Sequence, residues 1–343
     1  MKSSIYIGRN IGDGYKPFII AEAGINHDGD MKKAVELVDA AAESGADVVK
    51  FQTHLPEYEM LESAGSAVHL ENENLYELLN RISLSKDDHR ALKRRAEEKG
   101  IIFMSTAYCR EAIDFLDEFD LPGYKIGSGE LTNMPLLRHI ARRGKPMIIS
   151  TAASTYQDID DALQSVVKIN DQIALMHCVF QYPTRPEDCN IGVIPVLKRK
   201  YNIPIGFSDH SQGITITLAA IGLGANLVEK HFTIDRNWPG PDQKASIEPD
   251  ELSELVRGVD EIHRALGTQK AFLEVEKSAT DLFRHSLVIT RDVKAGDILT
   301  EDNLGIKRPG TGISPKEYEI YLGRVVSVDL PAGVLLSLEH LVQ

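Results

Sequence analysis

The sequence predicts an α/β fold, a (β/α)8 barrel followed by a small, mostly β domain. Eight short apolar runs recur between Phe18 and Thr233, and amphipathic segments with helical spacing separate them. Most of these runs stop at polar residues, which is typical of buried parallel strands whose carboxyl ends open into a site. The main alternative, an open doubly wound sheet, would normally carry a glycine-rich phosphate loop after an early strand. Neither GxGxxG nor GxxxxGK[ST] occurs, so the barrel is favoured.

The barrel elements can be placed in chain order. The first strand is predicted at residues 18–22, and Asp30 is suited to cap a first helix that ends at Gly45. The other seven strands are predicted at residues 47–53, 101–106, 123–130, 146–151, 173–178, 204–210 and 226–233. Between the second and third strands, residues 54–82 are polar with little periodicity, so we expect a long connection there. Insertions of this length after a barrel strand are often functional.

The C-terminal part of the chain has a different pattern. We assign residues 1–273 to the barrel domain, the charged segment 274–285 to a linker and residues 286–343 to the small domain. Within the small domain, residues 292–304 match residues 329–341 in position. Each copy has an Ala-Gly turn, a short strand, and a Thr or Ser that precedes one helical turn. Two such copies predict a compact module with internal pseudosymmetry.

Composition and charge limit the classes of partner. The net charge of −13 argues against nucleic acid or an anionic membrane surface as a partner. No apolar run approaches the roughly 18 residues that a membrane span needs, and the N-terminus lacks the apolar core of a signal peptide. The three cysteines form no CxxC pair and their odd number argues against a disulfide framework. We therefore expect a cytoplasmic protein.

Polar residues collect at the predicted strand ends, which converge on one face of a barrel. They are Glu22, Lys50, Gln52, Thr106, Lys125, Ser128, Glu130, Ser150, His177, Ser208, His210 and His231. The lysines and hydroxyls among them are suited to hold a phosphate or carboxylate through charge-assisted hydrogen bonds. Glu22 and Glu130 are candidates for proton transfer or for binding hydroxyl groups.

The residue types leave alternatives open for the histidines and lysines. His210 and His231 lie on adjacent predicted strands and could share a divalent metal, although a histidine at a strand end is often only hydrogen-bonded structure. Lys50 or Lys125 could instead form a structural ion pair, or a Schiff base as in lysine aldolases.

Several motifs resemble those of the sialic acid synthases, a family that includes the legionaminic and pseudaminic acid synthases. The matching segments are IAEAGINH at 20–27, VKFQT at 49–53, YKIGSGE at 124–130, FSDH at 207–210, EKHFT at 229–233 and PGPD at 239–242. The tail, with Lys307-Arg308-Pro309-Gly310, resembles the antifreeze-like (SAF) domain of that family. The resemblance runs from about Phe18 to the C-terminus.

The resemblance implies condensation of phosphoenolpyruvate with an open-chain N-acetylated amino sugar such as N-acetylmannosamine, which yields a nine-carbon 2-keto acid and phosphate. It implies Mn²⁺ bound by His210 and His231, where the metal polarises the sugar aldehyde. Glu22 would serve in proton transfer and in the reaction of water around the tetrahedral intermediate. Phosphoenolpyruvate would be held by Lys50, Thr106, Lys125, Ser128, Ser150 and Ser208.

The sugar-binding residues implied by the resemblance are Gln52, Glu130, Tyr182 and Asp242. Arg308 would reach into the site of a partner subunit and contact the N-acetyl group, so a domain-swapped homodimer is expected. This sequence departs from the family pattern at Phe180, where some members have a sugar-contacting Asn. A more apolar pocket would suit a 2,4-diacetamido-trideoxy sugar, as in legionaminic acid synthesis. The other functional classes that we consider are a lysine Schiff-base aldolase and a non-catalytic carbohydrate-binding protein.

Overall fold

The structure is a computed structural model that describes residues 1–63 and 74–343. These residues form two compact units, 1–267 and 268–343. The finer boundaries expected at residues 273 and 285 stay predictions. In the described parts of the chain, no helix is both long enough and apolar enough to cross a membrane.

The first unit contains a closed barrel of eight parallel strands, which confirms the predicted fold class. A short N-terminal hairpin, β1 (Ser4–Ile7) and β2 (Arg9–Gly12), precedes it. The barrel strands are β3 (Phe18–Gly24), β4 (Val48–Thr53), β5 (Ile102–Ala107), β6 (Tyr124–Ile126), β7 (Met147–Ser150), β8 (Ile173–Cys178), β9 (Ile205–Asp209) and β10 (Leu227–His231). Strand β10 closes the ring by pairing with both β9 and β3, and His231 lies opposite Glu22 in that pairing.

Helices follow the barrel strands and cover them. They are α1 (Met31–Glu43), α2 (Pro56–Glu59), α3 (Leu75–Ile82), α4 (Lys86–Lys99), α5 (Arg110–Asp117), α6 (Met134–Ala141), α7 (Tyr156–Val166), α8 (Val193–Tyr201), α9 (Thr215–Gly222) and α10 (Pro249–Ala265). The expected cap of α1 is present, because the Asp30 carboxylate accepts a hydrogen bond from the Lys32 amide. Strand β6 is shorter than predicted, since Ser128–Glu130 turn into a 3-10 helix at the mouth of the barrel.

The N-terminal hairpin closes the amino end of the barrel and was not predicted. Its residues Ile5, Ile7 and Ile11 are buried against the interior residues Phe18 and Leu227, which begin their strands. Alternate residues of the hairpin strand face outward, as the exposed Tyr6 does. The amino end of the barrel is therefore filled with apolar side chains, and the carboxyl end is left for polar groups.

The described part of the connection after β4 contains the helices α2 and α3, so the expectation of little periodicity over residues 54–82 was wrong there. Leu75, Leu78, Leu79 and Ile82 of α3 have helical spacing, and they form a small apolar cluster with Ile25. Eight residues are marginal for a helix in isolation, so this tertiary cluster stabilises it. Residues 64–73 of the expected connection lie outside the described residues.

The second unit contains α11 (Lys277–Phe283), β11 (Ser286–Ile289), β12 (Leu304–Lys307) and α12 (Tyr318–Tyr321). The expected linker therefore includes a short helix. The predicted internal repeat has a structural counterpart. The Asp292 carboxylate accepts a hydrogen bond from the Ala332 amide at 2.8 Å, and the Asp329 carboxylate accepts one from the Ala295 amide at 2.8 Å. Each copy of the repeat thus holds the turn of the other.

Candidate active site at the carboxyl end of the barrel

The carboxyl ends of the barrel strands enclose a cavity of about 260 Å³. Side chains from all eight strands or the turns that follow them line it, as expected for the functional face of a barrel. The predicted site residues in its lining are Glu22, Lys50, Gln52, Thr106, Lys125, Ser128, Ser150, Tyr182, Ser208, His210 and His231. Most of the residues predicted from strand ends are therefore neighbours in space.

A second cavity of about 290 Å³ shares Gln52, Tyr108, Phe180, Tyr182 and His231 with the first. The other two predicted sugar-contacting residues, Glu130 and Asp242, line this second cavity. Its wall also includes apolar residues from the turn after β3, the connection after β4 and the loop after β8, namely Ile25, Met60, Leu75, Leu78, Leu79 and Phe180. The two cavities therefore form a polar inner part and a partly apolar outer part.

Arg308 belongs to the second unit. Its guanidinium lies over the ring of Phe283, 5.2 Å from the ring centroid. Its expected role in a partner's site stays a prediction.

Two buried lysines lie in the inner cavity. The Lys50 ammonium donates a hydrogen bond to Thr106 Oγ1 at 2.7 Å and lies 2.5 Å from Glu22 Oε2. The Lys125 ammonium donates to Ser150 Oγ at 2.7 Å. The inner cavity therefore combines two of the cations of a strongly acidic protein with hydroxyl groups, which together can bind an anion.

Glu229 lies between these two lysines. Its carboxylate is 3.6 Å from the Lys50 ammonium and 3.5 Å from the Lys125 ammonium, and it accepts a hydrogen bond from Ser208 Oγ at 3.1 Å. It lines the same cavity but was not among the predicted site residues. The sequence contained a signal for it, since residues two apart on a strand face the same side and His231 was already assigned inward.

The two buried carboxylates differ in their tendency to be ionised. Burial raises the pKa of Glu22, Glu229 raises it further, and the Lys50 ammonium only partly offsets this. Burial also raises the pKa of Glu229, but the Lys125 and Lys50 ammonium groups outweigh it and hold that pKa below its ordinary value. Two carboxylates whose pKa values are pushed apart can take different roles, one exchanging protons and one staying ionised.

The lysines differ as well. Burial lowers the pKa of Lys50, but Glu22 and Glu229 outweigh it and raise the pKa above its ordinary value. Burial is the dominant influence on Lys125, and its pKa is lowered. Lys50 is therefore held as a cation, which disfavours it as a Schiff-base nucleophile.

The two predicted metal ligands are close neighbours. The ring centroids of His210 and His231 lie 5.3 Å apart. His210 Nδ1 bonds the carbonyl oxygen of Val179 at 2.8 Å, so this nitrogen carries the proton and Nε2 keeps its lone pair. Burial lowers the pKa of His210 to about 4 and that of His231 to about 3, so both rings are neutral near pH 7.

These histidines fit part of a metal-ligand set. His231 Nδ1 is buried and makes no hydrogen bond to any residue that the structure describes. Neutral imidazoles are the form that binds a divalent metal. Within residues 1–63 and 74–343, however, no group of three or more His, Cys, Asp and Glu side chains is placed to hold a metal ion. The remaining ligands would have to be water or substrate oxygens.

The outer surface of the same strands carries a second set of buried charges. The Lys230 ammonium lies 3.1 Å from Asp209 Oδ2, and the Thr217 hydroxyl donates to that oxygen at 2.6 Å. The Asp209 Oδ1 atom accepts a hydrogen bond from the Ser211 amide. This pair ties β9 to β10 directly behind the residues that face the cavity, and we assign it a structural role.

Two further lining residues were missed from the sequence. Tyr108 follows β5 and contributes to both cavities, and its ring would contact a side chain at Gly127, which explains a glycine there. Cys178 also lines the inner cavity, and its Sγ atom lies 3.8 Å from His210 Nδ1. Burial raises the pKa of the Cys178 thiol to about 11, so it is not a thiolate nucleophile near neutral pH.

The fold and the cavity are those of a (β/α)8-barrel enzyme with its site at the carboxyl ends of the strands. Comparison with known proteins narrows this class. Residues 37–271 match the NeuB family, and residues 284–342 match the SAF domain. The chain therefore belongs to the NeuB family, and its tail is a SAF domain.

Relatives with assigned activities match almost the whole chain. The N,N'-diacetyllegionaminic acid synthase of Legionella pneumophila is 39% identical, over 94% of this chain and 94% of that protein. The N-acetylneuraminate-9-phosphate synthase of Homo sapiens is 37% identical, over 94% of this chain and 91% of that protein. The crystal structure of an N-acetylneuraminic acid synthetase from Leptospira borgpetersenii, in complex with citrate, superposes with a TM-score of 0.74 at 35% identity, covering 81% of this chain and 95% of that one.

Proposed function

We propose that this protein condenses phosphoenolpyruvate with open-chain N-acetylmannosamine to give N-acetylneuraminate and inorganic phosphate. In this reaction C3 of phosphoenolpyruvate forms a bond to the aldehyde carbon of the sugar, and the aldehyde oxygen takes up a proton. Water adds to C2, and the C2–O bond breaks to release phosphate and leave a keto group. The observation that carries the proposal is the inner cavity, where two buried lysines, two neutral imidazoles and a carboxyl group of raised pKa meet.

Phosphoenolpyruvate would bind in the inner cavity. Lys50 and Lys125 supply charge, and hydroxyl groups from several strands supply donors; those are Thr106, Ser128, Ser150 and Ser208. Charge-assisted hydrogen bonds to phosphate and carboxylate oxygens are short and strong, and burial strengthens them further. The phosphate that leaves carries extra charge away from C2, so the same donors would stabilise the leaving group.

Glu22 would be the residue that donates and accepts protons during this reaction. Its raised pKa keeps a fraction of the group protonated near neutral pH, which suits a residue that must both give and take a proton. The ionised Glu229 would keep Lys50 and Lys125 charged and in place.

His210 and His231 would hold a divalent metal, with Mn²⁺ as the expected ion. When bound, the metal would supply Lewis acidity to the aldehyde oxygen of the sugar. The support within the structure is the buried, unsatisfied Nδ1 of His231 and the proton held on His210 Nδ1 by Val179, which leaves Nε2 for an ion.

The sugar would occupy the outer cavity, with Gln52, Glu130, Tyr182 and Asp242 as its polar contacts. The apolar wall of this cavity favours a second candidate, a 2,4-diacetamido-2,4,6-trideoxymannose. This sugar presents one more acetamido methyl group than N-acetylmannosamine, and a methyl group at C6. Phe180 and Leu75 are among the apolar residues that line the cavity. The named relatives include a synthase of N,N'-diacetyllegionaminic acid and a synthetase of N-acetylneuraminic acid.

A homodimer is the proposed assembly. Several apolar side chains of the segment that joins the barrel to the SAF domain are exposed, at Phe272, Leu273, Val275, Leu282 and Phe283. Exposed apolar groups at this density are typical of an interaction surface. Gel filtration with light scattering on the full chain tests the proposal, and a mass of 38.0 kDa at all concentrations would reject it.

The decisive experiment measures phosphate release from phosphoenolpyruvate with Mn²⁺, with each of the two sugars, and with or without EDTA. We expect release that requires a sugar and is abolished by EDTA, and the sugar with the higher kcat/KM identifies the product. Glu22→Gln should lower kcat at least a hundredfold, whereas Glu57→Gln, an exposed carboxylate on α2, should leave it unchanged.

The alternatives predict different outcomes in the same assay. A Schiff-base aldolase would keep its activity in EDTA and would be inactivated by borohydride in the presence of substrate, with Lys125 as the modified residue. A non-catalytic carbohydrate-binding protein would release no phosphate with either sugar. Phe180→Asn separates the two sugars: an unchanged ratio of their kcat/KM values would remove the role assigned to Phe180.

A further inference from the structure

A continuous chain of hydrogen bonds runs from α2 to Glu22, and it includes His54 and Glu59, to which the proposed function gives no role. Glu59 Oε2 lies 2.9 Å from His54 Nδ1, and His54 Nε2 lies 3.0 Å from Gln52 Oε1. The Gln52 amide nitrogen donates to Glu22 Oε1 at 2.9 Å. The other carboxylate oxygen of Glu59 accepts the backbone N–H of Leu55 at 2.6 Å.

The direction of these bonds fixes where the protons lie. Because the Gln52 NH2 group donates to Glu22, its carbonyl oxygen can only accept, and His54 Nε2 must therefore be the donor. Either His54 Nδ1 donates to an ionised Glu59, or a protonated Glu59 donates to Nδ1. In both cases the pair shares the proton between Nδ1 and Oε2, and Nε2 remains a donor.

Both members of the pair are buried. The His54 side chain is 8% exposed and the Glu59 side chain is 4% exposed. The His54 ring also stacks on Tyr108, with ring centroids 4.5 Å apart and planes 9° apart. Both ring nitrogens are therefore occupied, and one ring face is covered. This arrangement holds the imidazole in one orientation and leaves it little capacity to exchange protons with a substrate.

We propose that His54, oriented by Glu59, is a positioning residue that fixes the amide of Gln52 so that its NH2 group faces Glu22. Without a donor at His54 Nε2, the Gln52 amide can rotate and present its oxygen to Glu22, where two acceptors would repel each other unless Glu22 is protonated. The pair thereby selects one orientation of a side chain that reaches both the inner and the outer cavity. The expected effect on kcat/KM rests on the proposed function, whereas the expected orientation of the Gln52 amide does not.

The first test is structural and does not depend on activity. His54→Phe keeps a ring that can stack on Tyr108 but removes both hydrogen bonds. We expect the crystal structure of this variant to show the Gln52 amide turned away, with no hydrogen bond from its nitrogen to Glu22. His54→Gln carries an amide nitrogen near the position of Nε2, and it should restore the contact. Glu57→Gln, on the same helix as Glu59 but exposed, serves as the matched control. An unchanged Gln52–Glu22 contact in His54→Phe would overturn the proposal.

The second test asks whether His54 acts through Gln52. Gln52→Ala and His54→Phe should each lower kcat/KM for the sugar about tenfold, the usual effect of losing one buried hydrogen bond. In the double variant the two losses should not multiply, and kcat/KM should stay near that of Gln52→Ala alone. Losses that multiply to about a hundredfold would show that His54 acts elsewhere.

The two tests separate failure of this inference from failure of the proposed function. If the wild-type protein releases no phosphate with either sugar, the proposed reaction fails, and the crystal structures still decide the role of His54. If His54→Phe does not fold, Glu59→Ala takes its place, because it removes the partner of Nδ1 and should free the same Gln52 amide. A retained Gln52–Glu22 contact in Glu59→Ala, together with unchanged kcat/KM, would then reject the proposal.

Discussion

The ammonium group of Lys125 lies 3.5 Å from the carboxylate of Glu229 in the interior of the barrel. Since Lys50 is also within ion-pair distance of that carboxylate, one acidic side chain is shared between two cations. A buried charge left without a partner is strongly unfavourable, so this carboxylate, together with Glu22 beside Lys50, allows the two lysines to remain together before an anionic substrate arrives.

Removing the charge of Glu229 should change the titration of Glu22. The negative charge on Glu229 raises the pKa of Glu22, so Glu229→Gln should lower that pKa. In the pH profile of kcat, the limb whose midpoint reflects the pKa of Glu22 should then move to lower pH. This direction is the same whichever protonation state of Glu22 is active. A full pH–rate profile of wild type, Glu229→Gln and the control Glu57→Gln measures this. A limb that moves to higher pH would contradict the assignment.

Shortening a side chain of the N-terminal hairpin should cost stability without affecting the site. Ile7 is fully buried at the amino end of the barrel, whereas the neighbouring Tyr6 faces outward. Ile7→Ala should lower the free energy of unfolding by about 3 kcal/mol, because it removes buried methylene groups and leaves a cavity. Chemical denaturation measures the loss, with Tyr6→Ala as the control. The KM for phosphoenolpyruvate should be the same in all three proteins, and a raised KM would mean that the hairpin also supports the site.

The buried His27 should make stability depend on pH. Burial, with a further contribution from His89, lowers its pKa to about 4, and its Nδ1 accepts the Gly29 amide, so the neutral ring is the folded form. In the unfolded chain the pKa is about 6.5, so between about pH 6.5 and pH 4 the unfolded state binds more protons. The stability that the neutral ring contributes is present above that range and is lost as the pH falls through it, by up to about 3 kcal/mol.

His27→Asn tests this dependence, since the Asn side-chain oxygen can accept the Gly29 amide but does not titrate. Unfolding free energies at pH 7 and pH 5 should differ less in this variant than in wild type. His285→Asn, at an exposed position, is the control and should keep the wild-type difference. Equal pH dependence in His27→Asn and wild type would assign the acid sensitivity to other groups.

The two halves of the SAF domain should respond alike to matched substitutions. Asp292→Ala and Asp329→Ala each remove one acceptor of a backbone amide in the opposite copy. Each should cost about 1 kcal/mol, and hydrogen exchange should speed up at the amide of Ala332 in the first variant and of Ala295 in the second. Glu301→Ala, on the exposed surface, is the control. Faster exchange confined to the mutated copy would show that the turns do not support each other.

Much of the barrel and its site could be predicted, because the carboxyl ends of the strands can be recognised in the sequence. Apolar runs that stop at Lys50, Lys125 or His231 identify both the element and the face on which its last residues lie. Glu229 was missed because its place in the site depends on the alternation of side chains within a strand, and a carboxylate two residues before a histidine has no distinct composition signal.

The other features that the sequence did not predict depend on tertiary contacts. Helix α3 is short, and it is stabilised because its apolar face packs against Ile25, which lies far away in the sequence. The hairpin around Ile7 is stabilised by the open end of the barrel rather than by its own strands, since an isolated two-stranded hairpin is marginal in water. His54 and Glu59 fall in a segment interpreted as a connection, and only the folded chain brings them against Gln52.

The ion pair of Lys230 and Asp209 also affects the register in which β10 pairs with its neighbouring strands. Along β9 and β10, the residues that face the cavity alternate with this pair on the outer side. If β10 slipped by one residue against its neighbours, Lys230 would point into the barrel and Glu229 would lie unpaired beneath the helices. Every such misaligned state buries isolated charges, which costs far more than the loss of a few apolar contacts. The buried charges on both faces of these strands, Glu229 toward the cavity and Lys230 with Asp209 on the outer side, therefore also specify the register of the strands that carry the site.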